Sequence, residues 1–248
     1  MPPLISIIMP AYNASQLISQ SIDSVLAQTY PHWELIIIND KSTDNTLQVI
    51  RTYTDPRIKI IDSPKNQGTA KARNTGIATA TGHWLAFLDS DDLWTPEKLE
   101  QQLAFATQHN AAITYTSTAY INHLGQKSPY ILPAKARLTY KQLLRRNLMS
   151  CSSIMLLRKI MIPFPTGHVH EDYVVWLTLL KSHPHAHGLN QPLLIYRMGQ
   201  ATKSSNRLNS MKMILQAYKA VGYSTLVAWL LTARYAVHSI SKRRKIKF

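Results

Sequence analysis

Three carboxylates fall within four residues, at Asp89, Asp91 and Asp92, directly after the apolar residues Trp84, Leu85, Ala86, Phe87 and Leu88. A short apolar run of this kind is the pattern of a buried strand. Like charges gathered at a strand end repel, and a cation is the simplest group that neutralises them. Hard divalent ions such as Mg²⁺ take oxygen ligands and often sit between one or two carboxylates and substrate phosphates. The stretch therefore reads as a seat for a metal and a diphosphate at the carboxyl end of a strand, where open α/β sheets hold their ligands. The competing reading is a solvated acidic turn capping the next helix.

The surrounding pattern supplies the elements that would position such a seat. Residues 4–9 form an apolar run stopped by Pro10, and residues 35–38 and 58–61 are two further buried strands. Helical spacing occupies 17–26, with Ser15 as N-cap, and a helix capped from Ser42, Thr43 and Asp44 runs to Tyr53. Gly68 opens a helix through Ala80, and Thr95-Pro96 start another, as N-cap and first residue, that reaches about Gln108. Four strand–helix alternations predict a mostly parallel sheet with helices on both faces. Polar residues follow each strand: Tyr12-Asn13, Asn39-Asp40, Asp62-Ser63 and Asp89-Ser90-Asp91. Parallel strands bring all four clusters to one edge. Beyond them the pattern predicts strands over 113–122, 152–157 and 193–197, and helices over 139–146 and 173–181. From about Arg207 two helical segments follow, broken near Gly222.

The chain has 248 residues, 45% of them hydrophobic, enough for one substantial core. Lys and Arg number 28 against 13 Asp and Glu, and that excess implies an anionic partner. A single cysteine, Cys151, excludes an internal disulfide and a cysteine-based zinc site, fits a reducing compartment, and is expected to be a packing residue. No signal peptide is expected, because the N-terminus lacks a charged region and Pro10 interrupts its apolar run. No apolar run approaches the ~20 residues that cross a bilayer. The first glycine is Gly68, so no earlier strand–helix turn is a glycine-rich dinucleotide or phosphate loop. Side chains and a metal must do that work instead.

Five segments, in order and spacing, resemble family 2 glycosyltransferases of GT-A fold: Ile8-Met9-Pro10-Ala11-Tyr12-Asn13; Ile37-Ile38-Asn39-Asp40-Lys41-Ser42-Thr43-Asp44; Asn66-Gln67-Gly68 with Ala72-Arg73-Asn74-Thr75-Gly76; Phe87-Leu88-Asp89-Ser90-Asp91-Asp92; and His170-Glu171-Asp172-Tyr173. The resemblance covers roughly residues 4–200, and is nearest to non-processive bacterial enzymes that build teichuronic acid, capsule and O-antigen. It implies a Rossmann-like nucleotide-sugar half over about 1–110, an acceptor half over 111–205, and a helical basic extension over 206–248. It implies that Pro10, Ala11, Tyr12 and Asn13 line the nucleotide-sugar, that Asp40 hydrogen-bonds the base, and that Arg73 lies beside the nucleotide. Asp89 and Ser90 would contact ribose or sugar, Asp91 would bind Mn²⁺ or Mg²⁺, and Asp172 would be the catalytic base, with Glu171 as its rival. Lys41 departs from the family, which usually has glycine there. The Gln-x-x-Arg-Trp motif of processive synthases is absent, which implies one sugar per binding event. The implied reaction is inverting transfer from a nucleotide-sugar, a UDP-sugar by family precedent, to a hydroxyl of a lipid-linked or growing polysaccharide.

Other features have plainer readings. His183, His185 and His187 are expected in an exposed loop, while His168 and His170 adjoin Asp172. Trp176 is expected in the core. Met211, Ile214, Leu215, Tyr218, Leu226, Trp229, Leu230, Ala233 and Val237 recur at helical spacing before the basic run Lys242-Arg243-Arg244-Lys245. Such a face either packs on the domain or meets an anionic membrane surface, at about 1 kcal/mol per basic residue. The second option places the protein in the cytoplasm, peripheral to the inner face of the cell membrane. Two rival functions are a nucleotidyltransferase of related fold and a basic nucleic-acid-binding module. No reading helix or finger supports the latter, so no nucleic-acid partner is expected.

Overall fold

The computed structural model describes residues 2–167, 169–198 and 207–248. His168 and the side chains of the basic run at 242–245 lie outside the described residues. The elements follow in the order β1 (Ile5–Ala11), α1 (Ile18–Leu26), β2 (Trp33–Asn39), α2 (Thr46–Arg51), β3 (Ile58–Asp62), α3 (Thr69–Thr79), β4 (Trp84–Phe87), β5 (Leu93–Trp94) and α4 (Lys98–Gln108). Then come β6 (Ile113–Asn122), β7 (Arg137–Leu138), α5 (Tyr140–Leu143), β8 (Ile154–Leu157), α6 (Glu171–Ser182), β9 (Ala186–Met198), α7 (Arg207–Ala220) and α8 (Thr225–Lys245).

One continuous sheet runs β3-β2-β1-β4-β8-β6-β9-β5, with β7 also paired to β9. The first four strands are parallel. β1, β2 and β4 are buried along their whole length, which is why they are near-continuous apolar runs. β8 joins the halves, antiparallel to β4 on one side and to β6 on the other. Alternation along β1 divides the core in two. Ile5, Ile7 and Met9 pack with Ile22 of α1 and Leu99 of α4, whereas Ile8 packs on the opposite face with Ala72 of α3 and Trp176 of α6.

The strand order reverses direction between β1 and β4, and these two strands part there for a specific reason. β4 pairs with β1 only as far as Ile8↔Phe87, and the last ladder bond is Leu88 N–H to the Ile8 carbonyl, 3.0 Å. The next donor on β1 towards β4 would be residue 10, and proline has none. β1 continues against β2 alone to Ala11↔Asn39, while β4 departs into the acidic turn. Pro10 thus ends the strand pairing where open α/β sheets bind ligands.

Four local expectations change. Ser15 does not cap α1; its N–H donates to Asp44 Oδ2 at 3.1 Å, and the Ala14 carbonyl takes the N–H groups of Leu17 and Ile18. Thr95 does not start α4, because its N–H pairs with the Leu193 carbonyl and holds it extended; the helix begins at Lys98. Ser152 lies in a 3₁₀ turn, Cys151–Ser153, ahead of β8. His187 is inside β9, not in a loop, with its ring 4.4 Å from His185 and 5.7 Å from His109. Trp176 and Cys151 are buried as expected.

The C-terminal stripe divides between its two candidate roles. Ile214, Ala217 and Tyr218 of α7 and Ala228 of α8 are built into the core cluster that contains α6. Tyr173 and Tyr218 hydroxyls donate to the carbonyls of Leu143 and Leu144, at 2.8 and 2.7 Å. By contrast Leu226, Trp229, Leu230 and Val237 of α8 face outward, 73%, 55%, 66% and 68% exposed. Among the described residues no helix is long and apolar enough to cross a membrane.

Gly76 sets the distance between α3 and the sheet: a Cβ there would meet Ile8 Cγ2 at 2.6 Å and Ile38 Cδ1 at 2.7 Å. Gly76→Ala is expected to lower stability by about 1–3 kcal/mol, the usual cost of overpacking, measured by chemical denaturation. A neutral or stabilising effect would contradict this close approach.

Candidate active site

The loops after β1, β2 and β3 are tied to one another. Asn13 adopts a left-handed φ of 50°, its Oδ1 accepts the Thr43 N–H at 2.8 Å, and its own N–H donates to Ser42 Oγ at 3.0 Å. Lys41 also has a left-handed φ, 59°. A glycine, the residue that the sequence resemblance implies there, meets no steric cost in that conformation. Asp40 is buried; its Oδ1 accepts the Gln67 N–H at 2.9 Å and its Oδ2 the Gly68 N–H at 2.7 Å. Pro10 and Ala11 are buried at the end of β1, and Tyr12 stands exposed beside them.

Gly68, at φ 84°, starts α3 and sends Arg73 beneath the acidic turn. Arg73 is only 4% exposed. Its Nη2 donates to Asp89 Oδ1 at 2.7 Å and its Nη1 to Glu171 Oε1 at 3.2 Å, with the guanidinium 5.2 Å from the Phe164 ring centre. One buried cation therefore joins the turn after β4 to the first turn of α6, where Glu171 lies 98 residues after Arg73 in the chain.

The three carboxylates of the acidic turn have different fates. Asp92 is buried and structural: its Oδ2 accepts Ser152 Oγ–H at 2.6 Å and its Oδ1 the Arg197 N–H at 3.0 Å. Ser152 Oγ also accepts the Asp89 N–H at 3.1 Å, and the Ser152 carbonyl accepts Trp94 Nε1–H at 2.8 Å. Arg197 from β9 clamps the turn again, Nε to the Asp91 carbonyl at 3.0 Å, and anchors on Gln20 Oε1 at 2.7 Å. Asp89 is paired with Arg73, and Ser90 lies half-buried between Asp89 and Asp91. Asp91 has no ion pair among the described residues. Burial, and then the charge of Asp89, push its carboxyl up to about 6.

That arrangement fits the divalent cation implied by the sequence resemblance. Asp91 is a carboxylate strained by like charge, the condition a cation relieves. No group of three metal-ligating side chains gathers among the described residues. Mg²⁺ or Mn²⁺ held by one or two carboxylates and completed by diphosphate oxygens and water needs no such cage.

At the start of α6, Asp172 Oδ1 accepts the Tyr173 N–H at 2.7 Å. Burial, and then the Glu171 charge, raise the Asp172 carboxyl above its ordinary range, while His170 and Arg73 partly oppose the rise. Glu171 is engaged by Arg73, whereas Asp172 has no ion pair among the described residues. Sequence reasoning placed Asp89, Arg73 and Asp172 near one site but missed what holds them. Ser152 and Arg197 carry no motif, and only their contacts reveal them.

Sheet, crevice and carboxylates together define a GT-A architecture. The chain resembles the mannosyltransferase from Pyrobaculum calidifontis solved with GDP-Man and Mn²⁺, with a TM-score of 0.72 at 18% identity, over 98% of this chain and 76% of that one. Residues 6–163 match the model of glycosyl transferase family 2, and the chain belongs to that family; it is a glycosyltransferase. It is 39% identical over 212 residues to the Escherichia coli UDP-Glc:alpha-D-GlcNAc-diphosphoundecaprenol beta-1,3-glucosyltransferase WfgD, covering 84% of this chain and 83% of that protein. It is 34% identical over 247 residues to the Bacillus subtilis putative teichuronic acid biosynthesis glycosyltransferase TuaG, covering 97% and 98% of the two. The nucleotidyltransferase alternative gives way to this membership.

The raised Asp91 carboxyl has a pH consequence. Its folded-state value, about 6 against an ordinary 3.8, means that ionising it costs stability as pH rises through this window. A cation competes with that proton, so the thermal stabilisation given by Mn²⁺ with a nucleoside diphosphate is expected to grow between pH 5 and 7. It should vanish in Asp91→Asn. A shift independent of pH in this range, or retained in that variant, would place the cation elsewhere.

Proposed function

We propose that the protein transfers a single sugar from a UDP-sugar to a hydroxyl of a lipid-linked or growing cell-surface polysaccharide, with inversion at the anomeric carbon. The observation that carries this reading is the Arg73 bridge, which ties the Asp91 turn and the Asp172 helix to one buried cation. The E. coli relative, whose name specifies a UDP-Glc donor and a diphosphoundecaprenol-linked acceptor, supports the substrate classes.

In this reading Pro10, Ala11 and Tyr12 line the base and ribose. Asn13 fixes the loop that presents them, through Ser42 and Thr43. Asp40 receives two backbone N–H groups. A carboxylate has about four acceptor positions, so it can also take an N–H of the base. Asp89 and Ser90 face ribose or sugar, with Asp89 oriented by Arg73. Asp91 holds the cation, Mn²⁺ or Mg²⁺, which when bound stabilises the charge that develops on the departing diphosphate. Asp172 accepts the proton of the attacking hydroxyl; its raised carboxyl makes it a stronger base than an ordinary aspartate. Attack from the face opposite the leaving group gives inversion.

The outward face of α8 supports a peripheral position at the cytoplasmic side of a membrane. Leu226, Trp229 and Leu230 lie on one exposed face, and the chain carries a net charge of +15.

A donor screen tests the reaction: UDP-, GDP- and dTDP-sugars with a diphosphate-linked sugar acceptor, compared with Asp172→Asn. UDP-sugar turnover and a loss of about 10²–10⁴-fold in the variant are expected. Full activity in Asp172→Asn would sink the assignment of the base. For the membrane, sedimentation with anionic vesicles is expected to fall sharply when Leu226, Trp229 and Leu230 are all changed to Glu. Unchanged partitioning would rule out α8 as the contact.

A further inference from the structure

Every acidic residue of the chain precedes Tyr173, and Asp172 is the last. From Arg207 to Phe248 there are nine Lys and Arg and no Asp or Glu. The positive excess is therefore concentrated in the segment that forms α7 and α8, where Lys212, Lys219 and Arg234 are exposed. A segment of one charge sign is drawn as a whole to an anionic surface.

The two faces of α8 meet different surroundings. Ala228 and Thr232 are buried and Tyr235 is half-buried, at i, i+4 and i+7, and Ala228 and Tyr235 pack with the core cluster that contains α6. Leu226, Trp229, Leu230 and Val237 are exposed, with Arg234 among them. Apolar side chains that include a tryptophan, beside cations and on a helix that cannot cross a bilayer, suit the headgroup boundary of a membrane.

The inner face reaches the base helix. The Tyr235 ring lies 5.8 Å from the Tyr173 ring, and the Tyr218 ring of α7 lies 6.0 Å from it. The Tyr173 N–H in turn holds Asp172 Oδ1 at 2.7 Å. One ring contact and one hydrogen bond thus separate α8 from the Asp172 carboxylate. Both faces ride on a single helix, so whatever fixes the outer one also fixes Tyr235. α8 follows Gly222, at φ 98°, and starts after Ser224 without a side-chain cap. A helix uncapped at its start frays in water. A lipid surface binds the formed amphipathic helix and not the frayed one, and so shifts α8 towards its packed form.

We propose that docking of α8 on an anionic lipid surface seats Tyr235 against Tyr173 and steadies the base helix, so that transfer is faster at the membrane than in solution, with Tyr235 as the positioning residue. This rests on the peripheral-membrane reading above, and adds to it a coupling between the lipid contact and the site.

The test follows amide hydrogen exchange of the full chain, which needs no substrate, with phosphatidylglycerol vesicles, with phosphatidylcholine vesicles, and with neither. Exchange over residues 171–174, the first turn of α6, should slow by about 5–10-fold with the anionic vesicles, the low end of ordinary coupling between two sites. Neutral vesicles should change it by less than about twofold. UDP-sugar turnover on a water-soluble, short-chain acceptor that does not partition into the vesicles should rise by a similar factor. Tyr235→Leu should still sediment with anionic vesicles but lose both responses, and Tyr235→Phe, which keeps the ring, should retain them. Changing Leu226, Trp229 and Leu230 together to Glu should abolish sedimentation and both responses. If wild type does not sediment, the membrane reading fails and the proposal with it. If wild type sediments and exchange over α6 is unchanged, the membrane reading stands and the coupling is overturned. Equal slowing in Tyr235→Leu would refute Tyr235 as the link. Slowed exchange with no gain in turnover would make the contact merely structural and overturn the proposal. A concentration-dependent dimer that the Glu changes dissolve, without sedimentation, would give the face to a second copy of the chain and overturn it too. If no UDP-sugar is turned over, the donor reading fails by itself, and the exchange measurement still decides the coupling.

Discussion

The Arg73 guanidinium is the contact on which the site depends. Both of its carboxylate partners come from elements that the chain order keeps far apart; the guanidinium is nearly dry, while Asp89 and Glu171 reach it from its partly exposed rim. Breaking a buried ion pair leaves a charge uncompensated, and typically costs about 3–5 kcal/mol. The two halves of the sheet therefore cannot drift apart near the crevice without stranding a buried charge. Arg73 reaches this position because α3 lies close on β1 and β2, and α3 lies close because Gly76 has no side chain. A glycine on one turn of a helix thus helps set the separation between the carboxylate after β4 and the acidic pair on α6.

Around that bridge, environment gives identical side chains different work. Asp92 is consumed by Ser152 and the Arg197 backbone, Asp89 by Arg73, and Asp91 is left without an ion pair among the described residues, raised by burial and Asp89 and only partly relieved by Arg197. The same division recurs on α6, where Glu171 answers Arg73 and Asp172 is left without an ion pair among the described residues. In each cluster the partnered carboxylates build the site and one neighbour remains available for chemistry. Burial and like charge raise both available groups, a common condition at functional positions.

The C-terminal helices connect this centre to the outside. The Tyr218 hydroxyl oxygen of α7 lies 3.2 Å from that of Tyr173, and Tyr173 adjoins Asp172. α8 packs on the same layer through Ala228 while presenting Leu226, Trp229 and Leu230 outward. A helix pair whose pattern reads as an extension is built into the packing behind Asp172. Its outer face has no packing role among the described residues.

Much of the nucleotide half was legible in sequence because its information is local. β1, β2 and β4 are buried on both faces, so they show as unbroken apolar runs, and Pro10 marks where a central strand must lose a neighbour. The ordered segments around Asp40, Arg73, Asp91 and Asp172 carried the family. Helix starts were less legible: Thr95 looked like a cap until β9 took its N–H, and Ser15 until Asp44 did. The sequence by itself determined the parallel half, the polar edge and the residue types able to hold a cation and take a proton. Only the tertiary structure decided which carboxylates are paired and which are left without an ion pair among the described residues, and that Ser152 and Arg197 fix the acidic turn. The reason is that a carboxylate's role depends on the charges and donors that surround it, and for Asp89, Asp92 and Glu171 the partners arrive from residues 16 to 105 positions away along the chain.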